Sequence, residues 1–428
     1  WSRWSPLDGI WKGRKKMKRK ILIEKTDGQV RTFLLEDDTV VEIHCSDPER
    51  KGAGRHQIGD IYIGKVKNIV PNIGAAFIEI VSGVNCYYDM KDARNALFTT
   101  KAGKKALCIG DELVVQISKE AVKTKAPTVT SNISLTGRYA VVTHGNTRIG
   151  VSSKIPKKIR DDYREKLQKY ENERFGIIVR TNAKNASAEA VEEEIQKLSS
   201  EYEKLAASAP TRTCFTCLKS APPSYITDLK NVYTEGLEET VIGDKELYTK
   251  IQSYFSSEFL ERTVLLCLCD DPEFPLGKRY GTETILEKAL RDKVWLRNGG
   301  YLVIQPTEAL TVIDVNSGKS IGKEKNETGI MKINLEAAKE AAHQIRLRNL
   351  SGIIIVDFIN LEDKENTAEL LRAFRYYLSR DPIQTTLVDI TPLNLVELTR
   401  KKVRKPLYET VQRRYNSEPR VSEERIPM

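Results

Sequence analysis

The sequence lacks any apolar run long enough to cross a membrane. A membrane-spanning helix needs about 20 predominantly apolar residues, and no run of that length occurs in the 428 residues. The apolar core of a secretory signal is also missing, because the run 21–23 near the basic amino terminus is followed at once by Glu24 and Lys25. These absences predict a cytoplasmic chain without a membrane partner.

Cysteine is scarce, and its spacing does not complete a zinc site. The seven cysteines are an odd number in a chain without a secretory signal, which favours reduced thiols over disulfides. Cys214 and Cys217 have the spacing of half a zinc site, but the sequence has no second CxxC and no histidine pair of matching spacing. We therefore interpret them as ordinary thiols.

Positive charge, by contrast, is in excess. The formal net charge is +10 and the pI is near 9.0, which indicates a polyanionic partner. Hydrophobic residues make up 40% and charged residues 30% of the chain, a composition typical of globular proteins. The length predicts several domains.

Two β-branched runs with an aspartate near their ends form the centre of the sequence. Residues 310–318 and 352–358 each contain an apolar run that predicts a buried strand ending in a carboxylate, Asp314 in the first and Asp357 in the second. Because neighbouring strands lie about 4.8 Å apart, both carboxylates and the in-phase amide of Asn316 can converge on one magnesium ion. The alternative is that each aspartate only favours the turn after its strand.

A helix is predicted between the two aspartates, over residues 334–350, because Leu335, Ala338, Ala342 and Ile345 fall on one face. Strand, helix and strand then form a βαβ unit. Ligands of such units bind at the carboxyl ends of the strands, where both aspartates are expected.

The dense β region between residues 59 and 118 predicts a small barrel of the OB type. Its aromatic residues alternate with lysines in the sequence: Tyr62, Phe77, Tyr87 and Tyr88 among Lys65, Lys67, Lys119, Lys123 and Lys125. Exposed aromatics would stack nucleobases while lysines neutralise phosphate, which predicts a binder of single-stranded nucleic acid. The alternative is that individual aromatics fill the barrel interior.

A further apolar strand is predicted over residues 175–182, and its end presents Arg180 and Thr181. An arginine beside a hydroxyl can hold a phosphate through several hydrogen bonds. The alternative is an ordinary capping or solvated arginine.

Five long segments follow one another between Met17 and about Leu407. They are IYIGKVKNIVPNIGAAFIEI (61–80), IIVRTNA (177–183), LTVIDVNSG (310–318), NLEAAKEAAHQIRLRNLSGIIIVDFINL (334–361) and TPLNLVELTRKK (391–402). In sequence and in order they resemble the ribonuclease E/G family.

This resemblance implies an α/β multidomain fold. An RNase H-like domain is interrupted by an S1-type OB barrel and a 5′-phosphate sensor region, and a DNase I-like α/β catalytic domain follows. The implied boundaries are 1–16 for a disordered or mis-called extension, 17–56 and 221–289 for the RNase H-like parts, 57–131 for the barrel, 132–220 for the sensor, 290–407 for the catalytic domain and 408–428 for a tail.

The resemblance also implies an endoribonuclease that depends on Mg²⁺, with Mn²⁺ as the alternative ion. Members cut single-stranded, AU-rich RNA, prefer a 5′-monophosphate and leave 5′-phosphate and 3′-hydroxyl ends, which suits the processing of rRNA precursors and the turnover of mRNA. On this mapping Asp314 and Asp357 bind the metal, and Asn316 hydrogen-bonds the scissile phosphate or the attacking water.

The same mapping assigns residues that bind the RNA. Arg180 and Thr181 match the pair that holds the 5′-monophosphate, and Phe77, Tyr87 and Lys125 match barrel positions that hold single-stranded RNA. Tyr87 stands where the family usually has phenylalanine, a change that keeps the stacking surface.

One family motif is missing. No CPxCxG zinc-link motif occurs between Pro406 and Met428, and neither does the long arginine-rich tail of the larger members. We therefore expect a short, ribonuclease G-like member without a structural zinc link, and either a monomer or a homodimer formed without zinc.

Two other classes of protein compete with this interpretation. A non-enzymatic RNA-binding protein would keep the barrel and the basic charge but has no need of Asp314, Asn316 and Asp357. A different magnesium enzyme, such as a phosphatase or a DNA nuclease, would keep these three residues but has no need of an aromatic-bearing barrel.

Overall fold

The chain is described by a computed structural model that covers residues 18–46, 56–103, 106–121, 126–231, 237–257, 265–318 and 327–411. It divides into two compact units. Residues 1–48 and 235–428 form one unit, and residues 49–234 form the other. Among the described helices, none combines the length and the apolar character needed to cross a membrane.

The described strands are β1 (Arg19–Thr26), β2 (Gln29–Glu36), β3 (Thr39–Ser46), β4 (Ile61–Val70), β5 (Ala75–Val81), β6 (Val84–Asp89), β7 (Phe98–Thr100), β8 (Glu112–Lys119), β9 (Thr128–Thr130), β10 (Ser134–Thr136), β11 (Ala140–His144), β12 (Ile149–Val151), β13 (Phe175–Val179), β14 (Cys217–Lys219), β15 (Leu237–Ile242), β16 (Leu266–Leu268), β17 (Lys293–Trp295), β18 (Tyr301–Pro306), β19 (Leu310–Asn316), β20 (Gly352–Asp357), β21 (Thr385–Ile390) and β22 (Leu395–Arg400). The α-helices are α1 (Lys157–Leu167), α2 (Ala188–Ser208), α3 (Ser224–Asn231), α4 (Lys245–Ser257), α5 (Leu276–Tyr280), α6 (Thr282–Leu290), α7 (Glu327–Leu347), α8 (Lys364–Leu378) and α9 (Leu407–Thr410).

A closed five-stranded barrel lies in the unit of residues 49–234. Its strands follow the order β4-β5-β6-β9-β8, and β8 pairs back on β4 to close the ring. Closure leaves no unpaired edge among these strands, and the apolar side chains of one face of each strand fill the interior. This confirms the small barrel predicted from the sequence, with a closure that agrees with the OB type.

A second sheet in the same unit has the order β10-β11-β13-β12. Helix α2 covers it, because its apolar stripe Val191, Ile195, Leu198, Tyr202 and Leu205 is buried. The predicted strand over 175–182 ends earlier than expected, at Val179, and residues 181–185 form a short 3-10 helix. Arg180 is therefore the residue between a buried strand and a helical turn.

The other unit begins with a five-stranded mixed sheet of order β16-β15-β1-β2-β3. Strands β1, β2 and β3 are antiparallel neighbours, whereas β15 runs parallel to β1 and β16 runs parallel to β15. The more detailed RNase H-like and DNase I-like assignments, and the domain boundaries within each unit, stay predictions.

The same unit contains a six-stranded sheet of order β17-β18-β19-β20-β22-β21. Only β19 and β20 are parallel, and α7 connects them, as predicted for the βαβ unit. Helix α7 begins at Glu327 rather than at residue 334. One face of the sheet packs against α7 and α8 through apolar side chains such as Ile313, Ile354 and Val356. The opposite face carries Asp314 and Asp357, and we call it the open face.

Candidate functional site

The two central aspartates lie directly beside each other. Asp314 and Asp357 are register partners near the carboxyl ends of the parallel strands β19 and β20. Residues alternate between the two faces of a strand, so the burial of Ile313 and Val356 places both aspartates on the open face. Asn316, two residues after Asp314, donates from Nδ2 to Asp314 Oδ2 at 2.7 Å. The structure therefore brings together all three residues predicted at this site.

The electrostatics of this trio suit a divalent cation. Partial burial raises the pKa of Asp357, and the neighbouring charge of Asp314 raises it further. A cation between the two carboxylates would remove this repulsion. The described residues contain no group of three or more His, Cys, Asp or Glu side chains that could hold a metal. The donor set is thus two carboxylates and an amide, which fits Mg²⁺ because this ion keeps several water ligands.

A buried amide fixes the chain just beyond Asp357. Asn334 in α7 is completely buried, its Nδ2 donates to the Ile359 carbonyl at 2.7 Å, and its Oδ1 accepts from the Ile359 N–H at 3.1 Å. This two-point contact holds the segment that leaves β20. No role was predicted for Asn334, because a polar residue at the edge of a helical pattern is equally typical of a solvated position.

The hairpin β17–β18 adds an aromatic group to the open face. Trp295 pairs with Tyr301, and Tyr301 pairs with Asn316 in the next strand. The two rings lie 5.2 Å apart, and the Lys293 ammonium lies 3.7 Å from the Tyr301 ring centre and 4.4 Å from that of Trp295. Sequence reasoning missed this group; its signal is the alternation in KVW followed by an Asn-Gly turn.

Arg180 lies in a separate candidate site, in the unit of residues 49–234. Its Nη1 donates to the Gly137 carbonyl at 2.6 Å, and its Nη2 donates to Asn231 Oδ1 at 2.7 Å. Burial lowers the pKa of the guanidinium, and the charge of Glu194 partly offsets this. Thr181 is half-buried, with its Oγ1 2.9 Å from Ser152 Oγ. The arginine and the hydroxyl predicted together are adjacent and both held by protein groups.

Glu194 organises the turn that holds Arg180. Its carboxylate accepts the backbone N–H groups of Arg138, Tyr139 and Ala140 at 2.8, 2.6 and 2.9 Å. A Cβ atom at Gly137 would lie 2.5 Å from the Glu194 carboxyl carbon, so any larger residue there would displace this carboxylate. The carboxylate thereby fixes the loop whose Gly137 carbonyl accepts from Arg180.

The barrel aromatics divide into two groups. Tyr62 and Tyr88 are 7% and 0% exposed, so both fill the interior, which was the alternative to base stacking. Phe77 and Tyr87 are half-buried register partners on β5 and β6, with ring centres 6.4 Å apart in an edge-to-face arrangement. Lys125, the third predicted RNA-binding residue of the barrel, lies outside the described residues.

Comparison with known proteins places the chain among ribonucleases. The pattern of the "Ribonuclease E/G family" matches residues 134–403. The chain is 29% identical over 405 residues to "Ribonuclease G" of Haemophilus influenzae, a match that covers 91% of this chain and 80% of that protein. It is 27% identical over 405 residues to "Ribonuclease G" of Escherichia coli K12, covering 91% and 81%.

A "Ribonuclease E" is also similar. That of Synechocystis sp. PCC 6803 is 32% identical over 367 residues, and the match covers 83% of this chain but only 54% of that protein. Fold and site together define a multidomain α/β protein with a closed barrel and a paired-carboxylate site. The chain belongs to the ribonuclease E/G family.

Proposed function

We propose that the chain is an endoribonuclease whose cleavage of single-stranded RNA depends on Mg²⁺, or on Mn²⁺ in its place, held by Asp314 and Asp357. Membership of a family whose relatives are named ribonucleases supports the endoribonuclease activity. The observation that carries the metal dependence is the register pairing of the two carboxylates on the open face.

The roles of the residues follow from their chemistry. A bound divalent ion would lower the pKa of water and offset charge on the phosphate. Asn316 holds the Asp314 carboxylate in one orientation and is in phase to contact the scissile phosphate or the attacking water. Water attacks phosphorus in line with the departing 3′ oxygen. The new P–O bond leaves a 5′-phosphate, and the broken bond leaves a 3′-hydroxyl once that oxygen takes a proton.

Preference for a 5′-monophosphate is assigned to Arg180 and Thr181. A guanidinium has five N–H donors, and the contacts to Gly137 and Asn231 use one donor on each terminal nitrogen. A terminal phosphate offers three acceptor oxygens, and a 5′-hydroxyl offers none with comparable charge. The partly desolvated cation would therefore distinguish the two ends.

The substrate is proposed to be single-stranded and AU-rich, as in rRNA precursors and mRNA. Phe77 and Tyr87 offer half-exposed rings for stacking, and Lys125 is assigned to phosphate by the family mapping alone. Stacking tolerates every base, so an AU preference would reflect strands that unpair easily rather than direct base reading.

The test is the cleavage of a 5′-monophosphorylated, AU-rich RNA oligonucleotide in Mg²⁺, in Mn²⁺ and in EDTA. Wild-type protein should make internal cuts only with metal, and Asp314→Asn should bind the RNA but not cut it. The matched control is Asp389→Asn, which changes an exposed carboxylate of the same sheet and should cut normally.

Two results would contradict the proposal. RNA binding without cleavage by the wild-type protein in either metal would favour the non-enzymatic RNA-binding protein. Equal cleavage of a DNA oligonucleotide of the same sequence would favour a general nuclease.

A further inference from the structure

We infer that Lys293, Trp295 and Tyr301 form a stacking site for a nucleobase that flanks the scissile phosphate. This inference deepens the proposed function and rests on it, because the site is assigned to the RNA strand that reaches Asp314 and Asp357. None of the three residues belongs to the metal pair, the barrel or the 5′-phosphate sensor.

The sheet register places this aromatic group and the carboxylates on one face. One row of neighbouring residues runs from Lys293 through Val303 to Asp314 and Asp357, and the adjacent row runs from Trp295 through Tyr301 to Asn316. With strands about 4.8 Å apart, the backbone of Trp295 lies about 10 Å from that of Asn316. A nucleotide next to the cleaved bond spans a distance of this order.

The exposure and chemistry of the three residues fit a nucleotide. Trp295 is 64% exposed, although tryptophan has the largest apolar side chain. Covering this ring with a nucleobase would remove apolar surface from water, which is favourable. The Trp295 ring is tilted by 59° against Tyr301, with the Lys293 ammonium over both rings. An indole surface stacks bases of any sequence, and the ammonium beside it offsets the charge of the adjoining phosphate.

The hairpin that carries the aromatics is packed closely against the site. Gly300 lies so near to β19 that a Cβ atom there would be 2.9 Å from the Asn316 carbonyl oxygen. The Leu296 N–H donates to the Gly300 carbonyl at 2.8 Å, which closes the turn between the two aromatic residues. Trp295 and Tyr301 are therefore held at a fixed distance from Asn316, as a positioning role requires.

The experiment measures RNA binding in the Asp314→Asn background, where the oligonucleotide stays intact. Trp295→Ala should weaken binding about tenfold, the usual loss for one stacked base, and Trp295→Phe should recover most of it. Tyr376→Ala is the matched control, because it removes an exposed aromatic from α8 on the other side of the sheet, and it should bind normally.

An abasic scan tests the position of the base. The abasic nucleotide is moved stepwise across the cleavage site in a series of RNAs. At one position, loss of the base should weaken RNA binding about tenfold relative to the intact RNA when the protein retains Trp295. Trp295→Ala should be insensitive at that position only, which gives a coupling between one side chain and one base. RNA should also quench tryptophan fluorescence in the full chain, and the Trp295→Phe variant should lose this quenching.

The outcomes separate this inference from the proposed function. Failure of the wild-type protein to cut RNA contradicts the proposed function. Efficient cutting by a wild-type protein, with unchanged RNA affinity in Trp295→Ala, contradicts only the stacking site. A change in oligomeric state on Trp295→Ala, seen by sedimentation without any change in RNA affinity, would assign the exposed indole to a protein contact instead and overturn the inference.

Discussion

Glu194 and the pair Asp314–Asp357 are carboxylates at the sheets of the molecule. They differ in the number of hydrogen-bond donors that compensate their negative charge. Glu194 accepts three backbone N–H groups from residues 138–140. Among the described residues, the side chains of Asp314 and Asp357 accept from one side-chain donor only, the amide of Asn316. Their own register pairing sets one negative charge beside the other.

This is the difference we expect between an anion that holds backbone groups in place and a pair that, as proposed, binds a metal ion. A carboxylate with several N–H donors is stabilised in its charged form and holds its donors in place. Repulsion between two adjacent carboxylates that have one donor in total destabilises the folded state slightly. A bound cation would remove this repulsion. Perturbed and incompletely balanced carboxyl groups of this kind are typical of functional sites.

Removing one charge of the aspartate pair should have the largest effect of the variants considered. The loss should affect RNA cleavage and not the stability of the fold. Asp357→Asn should lower metal-dependent RNA cleavage by more than about a thousandfold, as for other groups that act directly in a reaction. Its thermal stability should be unchanged or slightly higher, because the like-charge contact with Asp314 disappears. Cleavage rates and thermal unfolding of the same preparation measure both. A clear loss of stability would mean that the pair is structural, and the contrast with Glu194 would fail.

Glu194→Ala should have the opposite result, a loss of stability. Three partly buried N–H groups would lose their acceptor, which should cost about 2–4 kcal/mol of unfolding free energy. Glu194→Gln keeps one acceptor oxygen and should lose less. Urea denaturation measures both variants. Unchanged stability in Glu194→Ala would show that water replaces the carboxylate easily and that the anion has no structural role.

Arg180→Ala tests the cation beside Glu194. It should reduce the preference for 5′-monophosphorylated over 5′-hydroxyl RNA about tenfold, because charge-assisted hydrogen bonds to one phosphate are lost. Cleavage of 5′-hydroxyl RNA should hardly change. Arg174→Ala, an exposed arginine before β13, is the control. An equal loss on both substrates would make Arg180 a structural residue of the Gly137 turn.

The sequence predicted those parts of the site that depend on one strand or on neighbouring residues. Asp314 and Asp357 follow β-branched runs, and Arg180 follows an apolar strand, so local pattern placed them correctly. The helix start at Glu327 was missed because the buried Gly329 in its first turns interrupts the helical pattern.

Contacts between distant segments could not be predicted. Glu194 lies 54 to 56 residues from the N–H groups that it accepts, and no period links these positions. Trp295 belongs to a strand of only three residues, which is too short for an alternation pattern to be convincing. Its position beside Asn316 depends on the register of a hairpin, and composition does not fix that register.

Glu340 is a carboxylate of a third kind, because its side chain is paired with the ring of His343. The ring Nδ1 lies 3.1 Å from Glu340 Oε1, and the ring Nε2 lies 2.8 Å from the Val40 carbonyl oxygen. Both partners are acceptors, so the protonated ring, in which both nitrogens donate, satisfies both contacts. Burial by itself lowers the pKa of His343, but the Glu340 carboxylate and the Val40 carbonyl outweigh it, so the pKa is raised.

This pair should make stability depend on pH, with the smallest of the expected effects. A histidine whose pKa is raised by folding contributes fully below its unfolded pKa of about 6.5, and the contribution is lost as pH rises through the folded pKa. Wild-type protein should therefore lose on the order of 1 kcal/mol between pH 6 and pH 9 relative to His343→Gln. Urea denaturation at several pH values measures this difference. If both proteins changed in parallel with pH, the ring would be neutral, and Glu340 would then resemble the aspartate pair more closely than Glu194.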